Sequence, residues 1–288
     1  MASVINTNLL SLNAQRNVSA SQSSLSTSLQ RLSSGLRVNS ARDDAAGLAI
    51  SERLNAQVRG SNVAIRNAND GISLSQTAEG ALAKVGDSLQ RMRELAVQSR
   101  NATNTSADRT SLDKEFGELA KEIQRVLGGT TFNGRAVLAG DSGTQTFQVG
   151  ANVTSNDRID VATTNMTTDT TVTAVAGTDN TGAGRAVITA AAGSESAIDT
   201  VITAIDTALD KVNGERATLG ASQNRLDQVI SNLQISVENQ SAAKSRITDA
   251  DFAQETANLS RANILQQAGN AMIAQANQIP SQVLSLLR

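Results

Sequence analysis

Apolar residues recur along this chain at helical intervals. From Val18 they fall at Leu25, Leu29, Leu32 and Leu36, in steps of seven, four, three and four, the spacing of a helix with one narrow apolar stripe. A second run, Ile50, Leu54, Val58, Ile65, Ala68, Ile72, Leu82, Val85, Leu89, Met92 and Ala96, predicts helix over about 43–100, on the order of 85 Å long at 1.5 Å per residue. A third, Leu112, Phe116, Leu119, Ile123 and Val126, follows Thr105, which with Asp108 has the form of a capping box. The cleanest run is Ile198, Ile202, Ile205, Leu209, Val212, Arg216, Leu219, Gln223, Leu226, Ile230, Leu233 and Val237; steps of four and three alternate without a slip, and only Arg216 and Gln223 are polar. Such regularity predicts a coiled coil. The segment 252–287 is amphipathic again, and Pro280, the only proline, predicts a kink near its end.

Between about 130 and 193 the texture changes. Asn133-Gly134 is a hairpin-turn signal. The stretches that follow are rich in Thr, Val, Ala and Gly with period-two alternation, which predicts short strands and loops. The expected fold is therefore mainly α: long antiparallel coiled-coil helices from both ends of the chain, with a small β-rich insertion in the middle. Residues 1–36 and 252–288 would lie side by side. Each carries one narrow stripe, so the pair buries little and is marginal alone.

Composition narrows the chemistry. There is no His and no Cys, which removes the commonest general base, the thiolate nucleophile and the usual zinc ligands. Four Phe are the only aromatic residues, so the core must come from Ala, Leu, Val and Ile. The net charge of −2, from 25 basic and 27 acidic residues, gives no footprint for nucleic acid. No apolar run is long enough for a membrane span, and the first residues lack the pattern of a cleaved secretory signal. No cofactor is implied.

The charged stretch 29–51 invites an active-site reading, with Arg31, Arg37, Arg42, Asp43 and Asp44 among Ser, Ala and Gly. Adjacent helical residues point about 100° apart, so Asp43 and Asp44 make a poor proton-sharing dyad. Asp43 is expected to cap a helix start and Gly35 to stop the helix before it. No phosphate-loop pattern surrounds the glycines. If the two ends run antiparallel, "SRITDADFA" at 245–253 falls beside 37–44, and Arg37 and Arg42 are expected to face Asp249 and Asp251 across a charged joint. "QRMRELAVQ" at 90–98 reads by pattern as a helix with a solvated basic face. The N-x-[ST] sequons are read as chance.

Taken together, "INTNLLSLNAQRN", "LQRLSSGLRVNSARDDAAGLAIS", "NANDGISLSQTAEGAL", "RMRELAVQS", "FNG", "FQVGAN", "SRITDADFA" and "NILQQAGNAMIAQANQIPSQVLSLLR" resemble bacterial flagellin over roughly 1–150 and 195–288. The stretch 155–193 carries no family motif, as expected of a surface-facing variable part. The resemblance implies an inner core domain of paired terminal helices (1–36 with 252–288), a spoke (37–44 with 245–251), an outer core helical domain (45–130 with 194–244) and a β-hairpin or variable insertion (131–193). It implies a secreted, extracellular subunit that polymerises with itself into the flagellar filament for motility after type III export. An export chaperone would hold the C-terminal helix, and filament cap and hook-junction proteins would be further partners. The segment at 90–98 matches the one recognised by Toll-like receptor five, with Arg91, Leu95 and Glu115 as its contacts.

The mechanism inferred is assembly by burial of terminal amphipathic helices between copies, in a head-to-tail contact that does not close. The positions expected to carry it are Leu9, Leu25, Leu29, Leu32, Leu265, Met272, Ile279, Val283 and Leu286. The rival reading is a binding module, a helical adhesin or hook–filament junction protein. A hydrolase, lacking His and Cys, has little to work with.

Overall fold

The computed structural model describes residues 7–189 and 195–286, with side chains described over 7–189 and 196–278. The fold is mainly α. Six helices, α1 (Leu9–Ser34), α2 (Ala45–Ser99), α3 (Ser106–Gly129), α4 (Thr170–Ala176), α5 (Glu195–Thr248) and α6 (Phe252–Leu286), are joined in the middle by strands β1 (Thr131–Phe132), β2 (Arg135–Ala136), β3 (Gly143–Gln148) and β4 (Arg158–Thr163). Compact units divide the chain at 58/59 and 237/238, so that 59–237 forms one unit and the two ends form the other. Both cuts fall inside the unbroken helices α2 and α5, not at the joint where sequence motifs place the boundaries.

In the central unit the predicted stripes meet. Leu82, Val85, Leu89, Met92 and Ala96 of α2, Phe116, Ala120, Ile123 and Leu127 of α3, and Ile198, Ile205, Val212, Leu219 and Leu226 of α5 belong to one buried cluster. Burying each large aliphatic side chain contributes about 1.5–3 kcal/mol, and Phe116 is the one ring fully buried among the described residues. The two polar positions in the stripe of α5 reach a single carboxylate: Gln223 Nε2 donates to Glu79 Oε2 at 3.1 Å, and Arg216 Nη2 lies 3.8 Å from Glu79 Oε1. Polar positions of this kind within an apolar stripe favour one helix register over others.

Local signals act as read. Thr105 and Asp108 form the capping box of α3. Asn133 and Gly134 take φ of 50° and 79°, the left-handed pair that a two-residue hairpin turn between β1 and β2 requires. β3 and β4 pair antiparallel from Gly143↔Thr163 to Gln148↔Arg158, and Ile159, Val161 and Thr163 alternate onto the buried face.

The middle segment departs from expectation twice. "TTVTAVA" is the helix α4, not strand or loop. Asp169 caps it by accepting from Thr171 N, Gly177 ends it at φ 84°, and Val172, Val175 and Ala176 bury one helical face. Nor is 155–189 only surface: Met166, Val172, Val175 and Ile188 are fully buried. Its returning segment is tied down by polar contacts. Asp113 accepts from Arg185 Nη1 and Nη2 (3.0 and 2.6 Å) and from Ile188 N (3.0 Å), while Ser99 Oγ donates to the Ile188 carbonyl at 2.6 Å.

Candidate functional site

In the terminal unit α1 and α6 pack antiparallel. Asn8 caps α1 by accepting from Ser11 N and donates from Nδ2 to the Ala276 carbonyl at 2.8 Å. A Cβ on Gly269 would overlap the side chain of Val18, so glycine there permits close approach of the helices. The residues buried between them are small or polar: Ser11, Ser28, Ala262, Ala276 and Glu255. The interface is thus thin, and its one charged group is held by α1. Glu255 accepts from Ser28 Oγ and from Arg31 Nη1, each at 3.1 Å.

Burial pushes the Glu255 carboxyl up, but hydrogen bonds from Arg31, Ser28 and Asn258 and the Arg31 charge outweigh it and hold the group below the ordinary value of 4.5. A depressed carboxyl contributes stability that is present above its unfolded pKa and lost as pH falls through its folded one. Pairing of α1 with α6 is therefore expected to weaken below about pH 4.5. Glu255→Gln should flatten that acid limb, as measured by helical circular dichroism between pH 6 and roughly pH 3.

The outward sides of the same helices are apolar and uncovered. Leu9 is 65% exposed, Leu29 50%, Leu265 51% and Met272 63%, with Leu10, Leu12, Phe252 and Ile264 beside them in the sequence pattern. Leu25 and Leu32 are half-buried. Ile279, Val283 and Leu286, also expected to serve assembly, lie outside the described side chains, and α6 continues through Pro280. A groove between the helices is lined by Leu10, Val18, Leu265, Gly269 and Met272.

The joint between the helical segments is made by backbone, not by the expected charges. Gly35, at φ 71°, ends α1. Leu36 bridges Asp249, Arg37 N donates to the Thr248 carbonyl at 2.7 Å, and Ala250 N donates to the Gly35 carbonyl at 2.9 Å. The segments meet as anticipated, yet no described ion pair joins Arg37 or Arg42 to Asp249 or Asp251. The two carboxylates find local partners: Asp249 accepts from Ser245 Oγ and Thr248 Oγ1, and Asp251 caps α6 by accepting from Ala253 N. Arg37 does reach across the joint, but to backbone, donating to the Ile247 carbonyl. The expected cap at Asp43 moves by one residue. Asp44 accepts from Gly47 N at the start of α2, while Asp43 holds a turn by accepting from Asn39 N, Ser40 N and Ser40 Oγ. Those bonds, the Ser40 hydroxyl first, draw the Asp43 carboxyl below its ordinary value.

Arg91 and Glu115 are brought together on the surface: Arg91 Nε donates to Glu115 Oε1 at 2.9 Å, and Nη1 to Glu94 Oε2 at 2.8 Å. Leu95 is different. At 1% exposure it belongs to the core and presents no face to a partner, which corrects the direct contact expected of it. It shares the buried side of α2 with Met92 and Ala96, as 3.6 residues per turn dictates.

Sequence reasoning missed the Ser28–Arg31–Glu255 cluster, the Asp113–Arg185 clamp and the role of Gly269. The first and last bring together residues more than 200 positions apart, beyond any local pattern. No helix among the described residues is long and apolar enough to cross a membrane.

Comparison with known proteins agrees with this geometry. Residues 5–143 match the bacterial flagellin N-terminal helical region, and residues 202–287 the C-terminal helical region. The chain is 48% identical to flagellin of Halalkalibacterium halodurans over 285 residues, 99% of this chain and 100% of that one. It is 40% identical to flagellin of Bacillus subtilis over 302 residues, 99% of each. A solved flagellar hook-associated protein from Vibrio parahaemolyticus shares the fold with TM-score 0.60 at 16% identity, over 72% of this chain and 100% of that one. With matched family regions at both ends and this identity over nearly the whole chain, the protein belongs to the bacterial flagellin family, whose members are structural subunits of the extracellular flagellar filament and not enzymes.

Proposed function

We propose that this subunit enters the filament by burying the outward faces of α1 and α6 against other copies. The observation that carries the reading is the distribution of uncovered apolar side chains. Of fourteen large hydrophobic residues exposed among the described ones, eight lie on α1 or α6, although the pair's own interface is thin. Exposed apolar surface so concentrated marks an association site. A contact from one such face to a different face on the next copy repeats without closing, which gives an open helical polymer. The residues assigned to it are Leu9, Leu25, Leu29 and Leu32, with Leu265, Met272, Ile279, Val283 and Leu286.

On this reading the terminal pair (1–36 with 252–288) is the inner domain, 37–44 with 245–251 the spoke, and 45–130 with 194–244 the outer domain bearing the 131–193 insertion. Before export through the type III route, the apolar side of α6 suits an export chaperone; cap and hook-junction proteins meet the same ends in the assembled flagellum. The salt-linked Arg91–Glu115 surface is the polar element offered to Toll-like receptor five, and Leu95 supports it from beneath.

Charge substitution tests the reading. Leu265→Lys or Leu29→Lys should raise the concentration needed for seeded growth by about tenfold or more, the effect of burying one unpaired charge at the contact. The melting of the central unit should be unchanged. Normal filament growth from both variants in electron micrographs would count decisively against the assignment.

A further inference from the structure

Four methionines are present, and the fold treats the three described ones unequally. Met92 and Met166 are fully buried, whereas Met272 is 63% exposed. Met272 also lines the apolar groove of the α1–α6 pair with Leu10, Val18, Leu265 and Gly269. Ala14, Ala268 and Ala276 extend this mostly apolar wall, while Asn13, Asn17, Ser21 and Gln275 add polar groups to it.

We propose that Met272 is an oxidation-sensitive checkpoint on polymerisation: a peroxide converts it to the sulfoxide in the free subunit, and the modified subunit is excluded from growing ends. The inference rests on the assembly reading above, with a second copy of this chain as the occupant of the groove. In the chemical step the thioether sulfur attacks one oxygen of the peroxide and the O–O bond breaks. A sulfur–oxygen bond forms, and the other oxygen leaves as water after taking up the proton. Sulfur is oxidised by two electrons and the peroxide is reduced by two. The product replaces a flexible apolar side chain by a strongly polar one. Covered by the next copy, its oxygen gives up water against a wall that is mostly apolar, and desolvating so polar a group at the contact is unfavourable even where a neighbouring amide or hydroxyl turns to meet it. Assembly should in turn cover the sulfur, so that oxidation acts before incorporation and not after it.

The test uses the full-length protein with hydrogen peroxide, peptide mass spectrometry and seeded growth. In free subunits Met272 should oxidise faster than Met92 or Met166, and in filaments its rate should fall by about tenfold or more. Oxidised wild type should then need roughly tenfold more subunit to elongate seeds, while peroxide-treated Met272→Leu, which keeps the apolar volume, should elongate like untreated protein. Full growth from wild type carrying stoichiometric Met272 sulfoxide overturns the proposal. So does equal inhibition of the Met272→Leu variant, or equal oxidation rates in free and assembled protein. Failure of untreated wild type to elongate at all overturns the assembly reading and the checkpoint with it; normal growth before treatment isolates the checkpoint as the point at issue.

Discussion

A chain ending at Asp251 is expected to stay soluble, to add to no seed at any accessible concentration, and to lose the helix signal of α1 as well as that of α6. The second loss is the informative one. α1 contributes 26 helical residues beyond the 35 of α6, and apart from its caps at Asn8 and Gly35 its own sequence does little to sustain them. Nine of the 26 are serines, poor helix formers whose hydroxyls compete for nearby backbone groups. Its fully buried residues are only Ser11 and Ser28, and Ser28 is buried because Glu255 of α6 takes its hydrogen bond. Without α6 the Asn8 amide also loses its contact with Ala276. Helical stability in proteins comes mostly from tertiary packing of one face and not from propensity, so a serine-rich α1 without its partner should melt. Far-UV circular dichroism measures the loss directly, and electron microscopy after seeding measures assembly. A truncated chain that keeps α1 helical, or that builds filaments, contradicts both the pairing described here and the role assigned to the ends.

How much of this was legible beforehand depends on the range of the interaction. Each long helix was written in its stripe, because one buried face of a long helix repeats every three or four residues and few other patterns imitate it. Gly35, the Thr105–Asp108 box and Asn133-Gly134 were legible because their effects are confined to a few residues. The helix α4 was not. Its seven residues are too short for periodicity, and "TTVTAVA" is rich in β-branched side chains that favour strand by propensity; the cap at Asp169 and burial of Val172 and Val175 override that preference. At the joint, proximity was legible from the antiparallel plan, but partner choice was not. Carboxylates such as Asp249 and Asp251 find backbone and hydroxyl donors within a few residues, at less cost in ordering than reaching a long arginine side chain. The assembly positions divide in the same way. Leu29, Leu265 and Met272 are outward, while Leu25 and Leu32 are half-covered; a heptad stripe states that residues share a side but not which neighbour covers it.

Asp113→Ala should destabilise the central unit by about 3 kcal/mol, toward the lower end of the range for breaking a buried ion pair, because Arg185 and Asp113 retain 20% and 11% side-chain exposure. Two defects arise at once. The Arg185 guanidinium, lying over Gly117, loses both carboxylate bonds, and the Ile188 N–H loses its acceptor. Neither can recover its bond elsewhere without releasing the segment that runs from Gly177, held by Gln124, to Ile188, held by Ser99. Ile188 would then leave the core it fills. The expected outcome is a lower urea midpoint and rapid proteolysis within 178–187. Replacing both partners, Asp113→Leu with Arg185→Met, should restore much of the loss, since a well-packed apolar pair often matches a buried ionic one. A double-mutant cycle separates these terms: near-additive losses would mean that the clamp contributes nothing specific. Burial raises the Asp113 carboxyl, and the Arg185 and Ile188 hydrogen bonds together with the Arg185 charge bring it below its ordinary 3.8. The contribution is thus present above that value and lost as pH falls through the folded pKa, so the wild-type advantage over Asp113→Ala should shrink in strong acid and persist at neutrality.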